Sequence, residues 1–233
     1  MSLTVLTPTG DRPEALERCK WYLKKQTVQP DQWLVVDDGL TLYRPEHPAL
    51  TYITMPPEPN KHTLARNVAA AIPHIKGDNI VIMEDDDWYG PDYLAHMVNG
   101  LDDYDLYGEG NAWYYNIQFS CYLNNANNTH ASFCQTGFRR SMLKLLSAVT
   151  VRQTWDIDLR FWRAAGSTKK VYMQDKQPWV VGIKGVPGRR GTTIGWTATS
   201  NSYIQDTKHK KLRSLIDNDS AEYYIKLAEA TYG

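Results

Sequence analysis

The first hundred residues alternate short apolar runs with amphipathic stretches, and three of the apolar runs end in polar or acidic motifs. No other feature limits the possible folds as strongly. Leu3-Thr-Val-Leu-Thr7, Trp33-Leu-Val-Val-Asp37, Leu50–Thr54 and Asn79-Ile-Val-Ile-Met83 read as strands, being short, rich in β-branched residues and bounded by turn signals. Pro13 is expected to open a helix capped by Asp11, with Leu16, Cys19 and Leu23 on one face. Leu64, Val68 and Ile72 give a second helix over 62–72, closed by Pro73, and a third should run from Pro91-Asp92 to Asn99-Gly100. Strands alternating with helices demand right-handed crossovers, so the strands lie parallel and both sheet faces are covered. The expected fold is α/β: a single domain with a Rossmann-like, mostly parallel central sheet and helices on both faces.

A chain of 233 residues can bury a full core. Its 26 Lys/Arg balance 26 Asp/Glu, which excludes a uniformly basic nucleic-acid binder and an acidic solvating chain. The balance hides two unlike halves. Residues 1–116 carry nine Lys/Arg against eighteen Asp/Glu, and residues 117–233 carry seventeen against eight, an asymmetry that points to charged ligands. Cys19, Cys121 and Cys134 are too few and too scattered for a disulfide framework or a zinc site. Neither a signal-peptide pattern nor a transmembrane segment is visible, so a cytoplasmic location is the expectation.

In open α/β sheets ligands gather beyond the carboxyl ends of the strands. Thr7-Pro8-Thr9, Asp37-Asp38 and Glu84-Asp-Asp-Asp87 stand at three such ends. Like charges ~4 Å apart repel by about 4 kcal/mol at an effective dielectric near 20, so four consecutive carboxylates need a cation or solvent to offset them. Mg²⁺ serves this purpose with one or two carboxylates plus substrate phosphates. The run is therefore a candidate site for a metal–diphosphate complex.

Thr4-Val-Leu-Thr-Pro-Thr9, Val35-Val-Asp-Asp-Gly39, Ala65-Arg-Asn67 and Ile80-Val-Ile-Met-Glu-Asp-Asp-Asp87 with Pro91-Asp-Tyr-Leu94 follow one another in a set order and spacing. In this the sequence resembles GT-A fold glycosyltransferases of the family 2 type, over roughly residues 3–100. The resemblance implies a nucleotide-sugar-binding half at 1–110 and an acceptor-binding, catalytic half at 111–233 of the same domain. It implies that Thr7, Pro8, Thr9, Arg12, Asp37 and Asp38 hold the base and ribose of a nucleotide-sugar donor, a UDP-sugar. Arg66 would sit near the diphosphate, Glu84 and Asp85 would touch ribose or metal-bound water, and Asp86 would bind Mn²⁺ or Mg²⁺. Glu84 stands where the family has Asp. Asp87 would only shape the loop.

In the second half, Ser132–Ser141 looks like the family's strand-then-helix segment. Trp155-Asp156-Ile157-Asp158-Leu159 resembles its Glu-Asp-x-Asp-Leu run, with Trp in place of Glu. This puts Asp156 in the general-base position of an inverting transfer, with Asp158 as the substitute, and the helix-cap role of Asp156 as the structural alternative. The Gly-rich basic loop 184–196 suits a diphosphate, met by Arg189 or Arg190. His209, flanked by lysines, is not counted as a metal ligand.

The acceptor is the open question. Between Lys169 and Arg213 lie ten Lys/Arg and two Asp/Glu, interleaved with Tyr172, Trp179, Trp196 and Tyr203. That composition suits a nucleic-acid strand, and hence sugar transfer to a hydroxymethylated base in DNA. It equally suits a glycan or glycolipid acceptor at an anionic surface. Two rivals from other classes are a non-catalytic sugar-nucleotide or nucleic-acid binding module and a nucleotidyltransferase. The latter should carry a Gly-rich basic loop after the first strand, of which Pro8–Arg12 is a poor version.

Overall fold

In the computed structural model, residues 1–58, 61–166, 168–173, 177–189, 197–198 and 202–233 are described. The apolar runs form β1 (Leu3–Thr9), β2 (Gln32–Asp37), β3 (Leu50–Thr54) and β4 (Asn79–Ile82), and the amphipathic stretches form α1 (Pro13–Lys24), α2 (Leu64–Ala71) and α3 (Tyr93–Asp103). Then come the short β5 (Trp88–Tyr89), β6 (Leu106–Glu109), β7 (Asn111–Asn116), β8 (Cys121–Ala126) and β9 (Thr136–Arg139). The remainder is α4 (Leu143–Thr150), α5 (Ile157–Ala164), β10 (Lys169–Tyr172), β11 (Val180–Lys184), β12 (Ile204–Gln205), α6 (Lys210–Leu215) and α7 (Asn218–Tyr232).

The central sheet has the order β10-β6-β9-β4-β1-β2-β3, and only β9 runs antiparallel to its neighbours. Side chains alternate across the strands, so each contributes to both faces. Val5, Trp33, Val35 and Val81 pack on one side with α1, α3 and α7, while Leu6, Leu34, Val36, Ile80 and Ile82 pack on the other with α2, α4 and α5. Both faces are thus covered, as a parallel sheet requires. A second sheet, β12-β8-β7-β11-β5, lies beyond β4 in the chain's path and draws β5 from the first half. Its β11 pairs parallel with β7 and antiparallel with β5, which carries Lys184 close to the strand-end acids of β4.

Two local expectations are corrected. Asp11 does not cap α1. Its backbone is left-handed (φ 56°), and its carboxylate accepts from Thr41 N–H at 3.0 Å and pairs with Arg189 at 3.1 Å. Asn99-Gly100 does not end α3, which continues to Asp103. A Cβ on Gly100 would lie 2.4 Å from the Tyr107 ring, so this glycine serves close helix–sheet packing rather than termination. Among the described residues no helix is long and apolar enough to cross a membrane.

Candidate functional site

The carboxyl ends of β1, β2 and β4 open onto a cavity of about 960 Å³. On this side it is lined by Pro8, Thr9, Gly10, Arg12, Asp38, Glu84 and Asp86, with His62, Thr63 and Asn67 from the start of α2. It is further lined from β7 and β8, by Ser132–Cys134, Trp155, Ile157, Asp158 and Tyr203, and by Lys61, Lys184 and Arg189. Gly10 is needed there because a Cβ would come within 2.5 Å of Asp38 Oδ1 and 2.7 Å of Arg189.

Paired acids at each strand end are split by the backbone. Asp38 lines the cavity, whereas Asp37 is turned inward and used up. Its oxygens accept from Gly39 N–H at 2.9 Å, Tyr43 N–H at 3.2 Å and the Tyr52 hydroxyl at 2.6 Å. Asp38 is buried between two guanidinium groups, Arg66 at 2.9 Å and Arg189 at 2.8 Å. Arg66 also holds Glu58 and the Pro56 carbonyl, and it stands behind Asp38 rather than at the cavity surface. Arg189 further reaches Thr63 Oγ1 at 3.2 Å, which ties the Gly-rich loop to α2. Arg190 and Trp196 of that loop lie outside the described residues.

At β4 the same division recurs. Asp86 faces the cavity with Glu84, while Asp85 sits beneath, accepting from the Thr9 hydroxyl at 2.6 Å and pairing with Arg12 at 2.8 Å. Arg12 bridges on to Asp86 at 3.0 Å. Asp87, expected only to shape the loop, is fully buried; its Oδ1 takes Ile183 N–H at 2.9 Å and Lys184 Nζ at 3.2 Å. Thr7 does not line the cavity: its hydroxyl accepts from the Trp33 indole at 2.9 Å in the core.

The electrostatics follow from four carboxylates and two cations taken out of water together. Burial, then Asp87 and Asp86, raises Glu84 well above the usual carboxylate range. Burial lifts Asp85 to about 7 against the pull of Arg12. Burial alone would raise Asp86 too, but Lys184 and Arg12 outweigh it and hold Asp86 low. Lys184, which burial would lower, is raised by Asp86, Asp87 and Glu84 and stays charged. Fully ionised, the four carboxylates would exceed the two cations by two charges, which is why burial holds protons on this cluster, and Asp87 Oδ2 is buried without a hydrogen-bond partner. Glu84, Asp87 and Cys134 each offer a ligand atom within 4.8 Å of one another. Such a surplus of hard oxygen donors fits a divalent cation.

Asp156 and Asp158 part in the same way. Asp156 lies in a separate outer cleft with Arg152, Arg160 and Arg163; it pairs with Arg160 at 2.8 Å, which holds its carboxyl low. It precedes α5 but caps it with no side-chain hydrogen bond. The general-base position read at Asp156 is therefore away from the cavity. Asp158 lines the cavity instead, and burial raises its carboxyl. Near-identity of neighbouring acids in sequence concealed this, since two positions along a helix start differ by roughly 200° in direction.

Lys184 is the residue that sequence reasoning undervalued, placing it in a Gly-rich basic loop when it ends a buried strand. Its position as the last residue of the apolar run Val180–Lys184, facing acids at a strand end, was the available signal. Among the described residues of the basic, aromatic stretch 169–213, five cations and two aromatics have partners within the protein. Lys169 donates to the Trp162 carbonyl, Lys184 and Arg189 meet the acids above, Lys211 stacks on Trp113 at 3.8 Å and Arg213 pairs with Glu222. Tyr172 and Trp179 pack against His96 at 4.9 and 5.1 Å. His209 bonds Tyr115 at 3.0 Å and does not line the cavity.

Comparison with known proteins agrees with this geometry. A family model described as glycosyl transferase family 2 matches residues 4–146. Among solved structures, S. aureus TarS 1–349 and its complex with UDP are each 12% identical over 78% of this chain and 60% of theirs, with a TM-score of 0.55. The complex of the same protein with UDP-GlcNAc is 11% identical over 98% of this chain and 72% of that one, with a TM-score of 0.55. This chain thus spans about 60% of the length of the first of these structures, and the likeness at such identity is one of fold. No curated protein sequence matches.

Proposed function

The chain belongs to glycosyl transferase family 2, and from that premise we propose that it transfers a sugar from a nucleoside-diphosphate donor to an acceptor hydroxyl. The observation that carries the reading is the cavity at the β1, β2 and β4 ends, where Asp86 meets Arg12 and Lys184 beside Glu84, and Asp38 meets Arg66 and Arg189. UDP-sugar is the proposed donor; TarS, which shares the fold, has been crystallised with UDP and with UDP-GlcNAc.

In this reading Asp38, Thr9 and Pro8 receive the nucleoside, Asp38 as an ionised acceptor for a base N–H or a ribose hydroxyl. Arg66 and Arg189 hold its carboxylate in place from two sides. Asp86 and Glu84, with Asp87 behind them, would hold Mn²⁺ or Mg²⁺, which when bound neutralises the leaving diphosphate. Arg12 and Lys184 orient those carboxylates and add fixed positive charge beside the leaving group, where the low dielectric magnifies it. Asp158 takes the proton of the acceptor hydroxyl as it attacks the anomeric carbon, giving inversion. Its raised carboxyl suits a base better than the arginine-paired Asp156, whose carboxyl is held low.

The test is binding and turnover together. UDP in the presence of Mn²⁺ should bind, and UDP-sugars should be hydrolysed slowly without an acceptor. Asp38→Asn should weaken UDP by about ten-fold or more, the usual loss when a charged hydrogen-bonding group is removed. UDP binding unaffected by Asp38→Asn would remove the nucleoside assignment.

A further inference from the structure

Trp155 is the exception on the cavity wall. It stands where the resemblance expects Glu, and its indole is 68% exposed although it lines the cavity. A large exposed aromatic in a cavity lining offers a flat apolar face on which a ligand ring can stack. The same cavity is lined by Leu123, Asn124, Asn125, Asp158 and Tyr203. The described cations that line it, Arg12, Lys61, Lys184 and Arg189, each pair with an acid of the protein. Of the described cations of 169–213, Lys184 and Arg189 line the cavity but pair with Asp87 and Asp38. Of the remainder, Lys170, Lys208 and Lys210 are exposed but do not line the cavity.

We infer that this wall is the acceptor subsite and that it takes an uncharged sugar residue, laid with its C–H face on the Trp155 indole. The inference rests on the glycosyltransferase reading above. A sugar ring presents an apolar face of C–H groups and an edge of hydroxyls. The indole and Leu123 match the face, while the Asn124 and Asn125 amides and the Tyr203 hydroxyl match the edge. Asp158, three residues beyond Trp155, then meets a hydroxyl of the stacked ring. A nucleic-acid strand could also stack on an indole, but its phosphates need free cations, and the described cations of this cavity are already paired with acids. An anionic lipid headgroup meets the same obstacle. Trp155 is accordingly a specificity residue, and Asp158 the group it positions the acceptor against.

The experiment uses the full chain with saturating UDP and Mn²⁺, so that the donor side is filled and separately measured. Saturation-transfer NMR and tryptophan fluorescence are recorded with three neutral oligosaccharides (cellobiose, maltotriose and diacetylchitobiose), a single-stranded DNA decamer and vesicles containing anionic lipid. At least one neutral oligosaccharide is expected to bind and perturb the indole signal, with an affinity that does not fall with added salt. Trp155→Ala should weaken that oligosaccharide by about ten-fold, as loss of an aromatic anchor does, and Trp155→Tyr should restore most of it. The inference is overturned if DNA or vesicles bind in preference, if no neutral oligosaccharide binds while UDP does, or if Trp155→Ala leaves oligosaccharide affinity unchanged. Failure of UDP itself to bind would instead strike the donor reading, since UDP affinity is read independently in the same samples.

Discussion

Replacing Glu109 by Gln tests the burial argument at a site away from the proposed chemistry. Glu109 ends β6 and is 1% exposed. Burial pushes its carboxyl up to about 8; the backbone N–H groups of Trp179 and Val180 and the Gln135 amide pull the other way. None of them, however, reaches a carboxylate oxygen in full hydrogen-bond geometry. The folded state therefore holds this proton more tightly than the unfolded chain, whose glutamate titrates near 4.5. Stability from the group is complete below pH 4.5 and is lost as pH rises through 8. At about 1.4 kcal/mol per pH unit of difference, the loss reaches about 3 kcal/mol at pH 7 and about 5 kcal/mol once the folded form is ionised. Gln has the same shape and never ionises, so E109Q should remove this slope. Urea unfolding of both proteins between pH 5 and 9 measures it, and the difference between the two curves isolates Glu109 from the other buried acids. E109Q should gain stability over the wild type as pH rises. If the two curves run parallel, the carboxylate is solvated in the folded state and the reasoning from burial fails.

Other outcomes follow from the site. Asp158→Asn should lower the transfer rate by roughly 10²–10⁴ while Asp156→Asn changes it little, measured as product formed per minute at saturating donor. The wild-type rate should rise with pH through a carboxyl held above the ordinary range, because Asp158 must be ionised to accept the proton and burial raises it. Lys184→Met leaves Asp86 and Asp87 buried with one cation fewer and should cost about 3–5 kcal/mol in urea unfolding. Mn²⁺ should raise the wild-type melting temperature by binding the folded state alone, and Asp86→Asn should abolish most of that shift in a thermal scan. An undiminished shift in Asp86→Asn would take the cation away from this residue.

The linear pattern of residues determined the sheet, the covering helices and the edge at which acid collects. Strands and helices announce themselves through local periodicity, and strand-end acids lie within a few residues of the apolar runs that position them. β1, β2, β3 and β4 were legible for that reason, as was the family resemblance carried by their ends. Which member of each acidic pair faces the cavity was decided only by the tertiary structure. Asp38 rather than Asp37, Asp86 rather than Asp85 and Asp158 rather than Asp156 differ by one or two positions in sequence but by opposite directions in space. Direction depends on partners far along the chain: Arg189 on Asp38, Lys184 on Asp87, Tyr52 on Asp37. The charge of the second half shows the same limit. Its composition told of anionic partners, and the fold supplied many of them from within, because a buried cation is stable only where an acid has been buried beside it.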